Sequence, residues 1–84
     1  MFINKTSDGR NNCCGETVAR LRKEMKISQR ELADRLQLLG LDVDKNAVQR
    51  MESGQRFITD IEIRFLSHVF GCSYNDLFPP LELN

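Results

Sequence analysis

Residues 28–54, SQRELADRLQLLGLDVDKNAVQRMESG, constrain the fold more than any other part of the chain, because the start and stop of two consecutive helices can be read from them. Ser28 with Glu31 at the third helical position is a capping box, in which each side chain satisfies a backbone N–H that the first turn leaves free. Leu32, Ala33 and Leu36 then recur at helical spacing, and Gly40 suits the left-handed conformation just past a helix end. After Leu41 and Val43, Asp44 can cap a second helix. Its apolar positions Ala47, Val48 and Met51 face one way, which leaves Lys45, Asn46, Gln49 and Arg50 facing outward, and Gly54 ends it. The expectation is two short helices joined by a turn and held at a steep angle.

The flanking sequence supplies support of the same kind. A first helix is predicted over residues 16–25, with Val18, Leu21 and Met25 on a core face and Arg20, Arg22, Lys23 and Lys26 on its basic surface. Residues 55–58, QRFI, lead into a helix opened by a second capping box, Thr59 with Glu62. Ile63, Leu66, Ser67 and Phe70 form its core stripe, while Ile61, Phe65 and Val69 make a second apolar stripe. Gly71 stops this helix, and a capped short one begins at Ser73 and ends near Phe78, before Pro79 and Pro80 forbid continuation. No strand pattern competes. The chain therefore reads as all-α, one domain of five short helices over residues 16–78, packed around Val18, Leu21, Leu32, Ala33, Leu36, Val48, Met51, Ile63, Leu66, Phe70 and Leu77. Residues 1–15, MFINKTSDGRNNCCG, show no periodicity and are expected to be a flexible N-terminal arm; residues 79–84 are expected to be a short tail.

The QRELA opening and the Val-x-x-Met-Glu-Ser-Gly ending resemble the Cro/CI-type helix-turn-helix of phage repressors and the wider XRE-like family of bacterial regulators, over roughly residues 16–78. The resemblance implies a five-helix, lambda-repressor-like DNA-binding domain. It implies sequence-specific binding of double-stranded DNA by a small bacterial or phage transcriptional regulator, a repressor, with the recognition helix at residues 44–53. By position in the motif, Lys45, Asn46, Gln49 and Arg50 are expected to read bases. Asn and Gln can pair with adenine through two bonds and Lys with guanine. Gln29, Ser53 and Arg56 match positions that grip phosphate, and Arg22 with Glu52 matches a structural ion pair. Family members bind two half-sites as dimers. Ile61, Phe65 and Val69, with Tyr74 and Phe78 beside them, are the expected homodimer surface. One departure stands out: the segment from Leu36 to Val48 is longer than in the tightest family form, so the second helix is expected to gain a turn and the connection to be looser.

Charge gives only weak support. The chain has no net charge, which argues against nucleic acid because phosphate contacts supply much of the affinity for a duplex. The distribution is uneven: residues 16–58 carry nine Lys or Arg against seven Asp or Glu, and residues 59–84 one against four. The alternative is the same fold used as a protein-interaction module, antitoxin-like or anti-repressor, with little DNA affinity; the neutral charge and the turn carboxylates Asp42 and Asp44 favour it. An enzyme is not expected, since no nucleophile with a base, carboxylate pair or Gly-rich phosphate loop appears. Cys13, Cys14, Cys72 and His68 fit no zinc spacing, so no metal, cofactor or small-molecule effector is expected. Cys13 and Cys14 read as incidental thiols in a reducing compartment, with a redox switch as the alternative. No run of about eighteen apolar residues and no signal-like segment is present, so a cytoplasmic location without a membrane partner is expected.

Overall fold

Helix starts follow the side chains able to cap them. The computed structural model describes residues 4–81, in which the chain forms α1 (Gly15–Glu24), α2 (Gln29–Leu38), α3 (Lys45–Ser53), α4 (Asp60–Phe70) and α5 (Tyr74–Leu77). Ser28 with Glu31, Thr59 with Glu62, and Ser73 with Asp76 form reciprocal capping boxes, and Asp44 accepts from the Ala47 N–H at 2.8 Å. Gly54 and Gly71 close α3 and α4 in the left-handed conformation.

α1 and α2 both pack on α3, and α4 lies against α1 and α2 with α5 beside it. Leu32, Leu36, Val48, Met51, Leu66, Leu77 and Val18 are fully buried at the centre. Three core positions differ from the sequence expectation. Met25, the C-cap of α1, keeps helical backbone angles and its N–H still donates to the Leu21 carbonyl, yet it is 36% exposed. Lys26 then takes a left-handed φ of 59° and turns the chain, so that Ile27 is buried instead. Leu21 and Phe70 pack at the core edge, while Cys14 and Val43 join its interior.

The longer segment between the central helices is not loose. α2 runs only two residues past Leu36, and the chain then bends back: the Leu41 N–H donates to the Leu36 carbonyl at 3.0 Å, and Gln37 Nε2 donates to the Val43 carbonyl at 2.7 Å. With Val43 buried, the connection is anchored at both ends, and the extra length appears as exposed Leu38 and Leu39.

The expected arm is also corrected in part. Asn12 accepts from the Gly15 N–H at 2.8 Å and donates from Nδ2 to the carbonyls of Met51 at 2.9 Å and Arg56 at 2.8 Å. Arg10 donates to the Glu52 carbonyl at 2.6 Å, and Asn11 donates through its N–H to Gly54 and through Nδ2 to Gln55. Residues 10–14 are thus part of the folded domain. Cys14, the N-cap of α1, is 2% exposed, and burial pushes its thiol pKa up to about 11. Residues 1–3 of the expected arm and 82–84 of the expected tail lie outside the described residues.

The closest approach of α1 to α3 depends on Gly15. A Cβ there would lie 2.0 Å from the Met51 carbonyl oxygen, a backbone atom that cannot swing away, and 2.7 Å from the side-chain oxygen of Asn12. At Gly40, with φ of 105°, an added Cβ meets nothing, and only backbone strain opposes it. Gly15→Ala is therefore expected to cost about 3 kcal/mol through overpacking, and Gly40→Ala only about 1–2 kcal/mol. Urea unfolding of the two variants checks this; an equal or smaller loss for Gly15→Ala would contradict the close approach.

Candidate nucleic-acid interface

Burial fixes the orientation of α3. Val48 and Met51 are wholly inside, so the opposite face must be outside. That face carries Lys45, Asn46, Gln49 and Arg50, all exposed and, at spacings of one, three and four residues, contiguous on one side of the helix. Ser53 continues the stripe, its hydroxyl donating to the Arg50 carbonyl at 3.3 Å. Asp44, at the head of the helix, is turned to its own backbone, where a carboxylate offsets the partial positive charge of a helix start.

The helix is held from behind by a nearly buried carboxylate. Arg22 of α1 binds Glu52 through Nε at 2.7 Å and Nη2 at 3.1 Å, a two-point contact, and its Nη1 donates to the Ile27 carbonyl at 2.9 Å. The side chains are 12% and 8% exposed, and Glu52 holds the guanidinium pKa above its usual value. Gln29, the first residue of α2, adds a bond from Nε2 to Glu52 Oε1 at 3.0 Å. One side chain of α3 therefore joins all three helices of the motif, and Gln29, expected at phosphate, has its amide donor turned inward.

Two other expectations change. Arg56 faces α4: its Nη2 donates to Glu62 at 3.1 Å, and its Nη1 is buried without a protein partner. Glu62 is itself buried, because it also closes the Thr59 capping box, and this captures the guanidinium expected on phosphate. Of the expected dimer residues, Ile61, Tyr74 and Phe78 are exposed, but Phe65 and Val69 are half-buried against the core and do not form one open stripe with them. The exposed three line a groove of about 580 Å³ together with Ile58, Ile63 and Arg64.

Periodicity gave no hint of Arg10, Asn11 and Asn12, which cap the far end of α3. The usable signal was chemical: three consecutive side chains rich in N–H donors, just before a helix start that lacks a Ser, Thr, Asp or Asn at its N-cap. Among the described residues no cluster of metal-ligating side chains occurs, and no helix is long and apolar enough to cross a membrane.

The helix-turn-helix family model matches residues 18–77, more than half of the chain. Neither a curated protein nor a solved structure matches it.

If the Arg22–Glu52 pair holds α3 in place, removing one partner leaves the other charge buried and alone. Glu52→Ala is expected to cost about 3 kcal/mol, with a coupling to Arg22→Ala of about 1–3 kcal/mol in a double-mutant cycle. Chemical denaturation of the four proteins measures it, and additive losses would show that the pair does not act as a unit.

Proposed function

Because the chain belongs to the Cro/CI-type, XRE-like helix-turn-helix family of DNA-binding transcription regulators, we propose that it acts as a repressor that sets the N-terminal half of α3 in the major groove of double-stranded DNA. The observation that carries this reading is the polar stripe Lys45, Asn46, Gln49 and Arg50, exposed opposite the buried Val48 and Met51. An α-helix fits the major groove, where the donor and acceptor pattern differs for every base pair. Asn46 and Gln49 are assigned to adenine edges, Lys45 to guanine, and Arg50 to the base or phosphate at the end of the contact.

Holding contacts carry no sequence information and come from the start of α2 and the end of α3. The backbone N–H groups at the start of α2 favour an anion, and exposed Ser53 is available to a phosphate oxygen. Gln29 contributes there with whatever its bond to Glu52 leaves free. Arg56 is not assigned to phosphate, since Glu62 holds it.

A single short helix reads few base pairs, so the functional unit is proposed to be a homodimer that spans two half-sites about 34 Å apart. Ile61, Tyr74 and Phe78 are its proposed contact surface. Asp60 and Arg64, one turn apart on α4, can each face the other's counterpart across a two-fold axis. The protein-interaction reading draws on the same groove and on the neutral charge, and differs in requiring no affinity for DNA.

Selection of bound fragments from random duplex DNA is expected to return a preferred sequence. On that sequence Asn46→Ala or Gln49→Ala should each cost about 1–3 kcal/mol and relax the choice at one base pair, while Arg56→Ala leaves the salt slope unchanged. An unchanged preference in both α3 variants would remove α3 from the reading role. Failure of the wild type to bind any duplex at low salt would favour the protein-interaction alternative.

Sedimentation at micromolar concentration is expected to show a dimer that Ile61→Asp disrupts. A monomer with and without DNA would contradict the dimer.

A further inference from the structure

The C-terminal end of α3 is held by two different means. The side chain of Glu52, the penultimate residue of the helix, is fixed by Arg22 and Gln29. The backbone there needs partners of its own, because the last four carbonyls of a helix have none within the helix. Here the chain folds back on itself: the N–H groups of Gln55 and Arg56 donate to the Arg50 carbonyl and that of Gly54 to Met51, while from outside Asn12 adds a second donor to Met51 and Arg10 donates to Glu52. Asn11 and Asn12 then take the carbonyls of Gly54, Gln55 and Arg56 in the turn that follows. Every group of the Asn12 carboxamide is engaged: its oxygen accepts from the first N–H of α1, and its Nδ2 donates to the Met51 carbonyl in the last turn of α3 and to the Arg56 carbonyl in the turn that follows. Arg10 is further steadied by a 3.7 Å contact with Glu16, and its side chain lies across Gly54 where a Cβ would collide with it.

We propose that Arg10, Asn11 and Asn12 form a strap that sets the tilt of α3, so that Arg10 and Asn12 are positioning residues for DNA reading although neither lies on the reading face. The inference rests on α3 being the reading helix. Asn12 links the start of α1 to the end of α3 in one planar group, so a change at Asn12 moves one helix end relative to the other. Small displacements are costly for base readout, since hydrogen bonds weaken steeply once their angle is lost. Phosphate contacts at the start of α2 lie outside α3 and do not move with it, and the hydroxyl of Ser53, which does, carries no charge and adds nothing to the salt slope. The strap therefore acts on selectivity and leaves general affinity intact.

Asn12→Asp tests this with almost no change of shape: the carboxylate still accepts from Gly15 but turns oxygen toward the carbonyls of Met51 and Arg56. Arg10→Met, which keeps the stem and removes the donor, is the second variant should Asn12→Asp not fold. In the free proteins, amide hydrogen exchange at residues 52–56 is expected to rise at least tenfold, with exchange in α4 unchanged. On DNA, at a temperature where the variant is fully folded, the ratio of affinities for the selected over a scrambled duplex is expected to fall at least tenfold at an unchanged salt slope. Unchanged exchange at residues 52–56 would overturn the strap itself. Faster exchange with an unchanged affinity ratio would overturn its positioning role and leave it a stabilising contact only. A salt slope lowered by about one in Arg10→Met would also overturn the assignment, because it would make Arg10 a phosphate contact. If the wild type prefers no sequence, the reading role of α3 falls, and the selectivity claim with it, whatever the exchange data show.

Discussion

The carboxylate of Glu52 is the point on which the arrangement of the motif depends. It is nearly out of water, and such a charge is tolerated only with partners on its lone pairs. Arg22 supplies two bonds from α1 and Gln29 one from α2. A buried ion pair adds little net stability over a well-packed apolar cluster, because desolvation offsets most of the attraction. Its contribution is geometric. α3 cannot rotate about its axis without breaking three hydrogen bonds or exposing Val48 and Met51, so its polar stripe is presented to solvent in one orientation.

Much of this was legible before any coordinates. The capping boxes at Ser28, Thr59 and Ser73 and the glycines at 54 and 71 mark helix boundaries through strictly local chemistry, and the stripe of buried positions in α2 and α3 follows from helical period alone. What sequence reasoning missed is non-local. Met25 satisfied the helical spacing, yet α1 ends one residue before it, and the left-handed turn at Lys26 delivers Ile27 to the core instead. Asn12 joins residues 39 and 44 positions away, and a single side chain capping a distant helix leaves no periodic trace. Arg56 was assigned by its place in the motif, but its environment includes Glu62, six residues on, whose role in the Thr59 capping box was itself readable. Only the fold brings Arg56 onto the Glu62 oxygen that the capping box leaves free.

The electrostatics fit a reader with modest general affinity. A chain without net charge gathers few phosphates through long-range attraction, and its excess of basic residues is confined to the half that contains α1 to α3. Several of those cations are already committed: Arg22 to Glu52, Arg56 to Glu62 and Arg20 to Glu24. Among the described residues, Lys45 and Arg50 on α3 form no ion pair, and Arg30 is exposed in the first turn of α2. In the proposed reading, discrimination by the amides of Asn46 and Gln49 then carries a larger share of the binding than in a strongly basic protein. The apolar groove beside α4 lies on the acidic half, away from the polar face of α3.

The central claim is that α3, held through Glu52, meets DNA with its N-terminal half. The most direct measurement is a backbone amide shift titration of the isotopically labelled protein with a short duplex at low salt. The account predicts shifts concentrated at residues 45–50 and at the start of α2, with the groove around Ile61 and Tyr74 undisturbed. Shifts confined to α4 and α5, or none at saturating duplex, would contradict it.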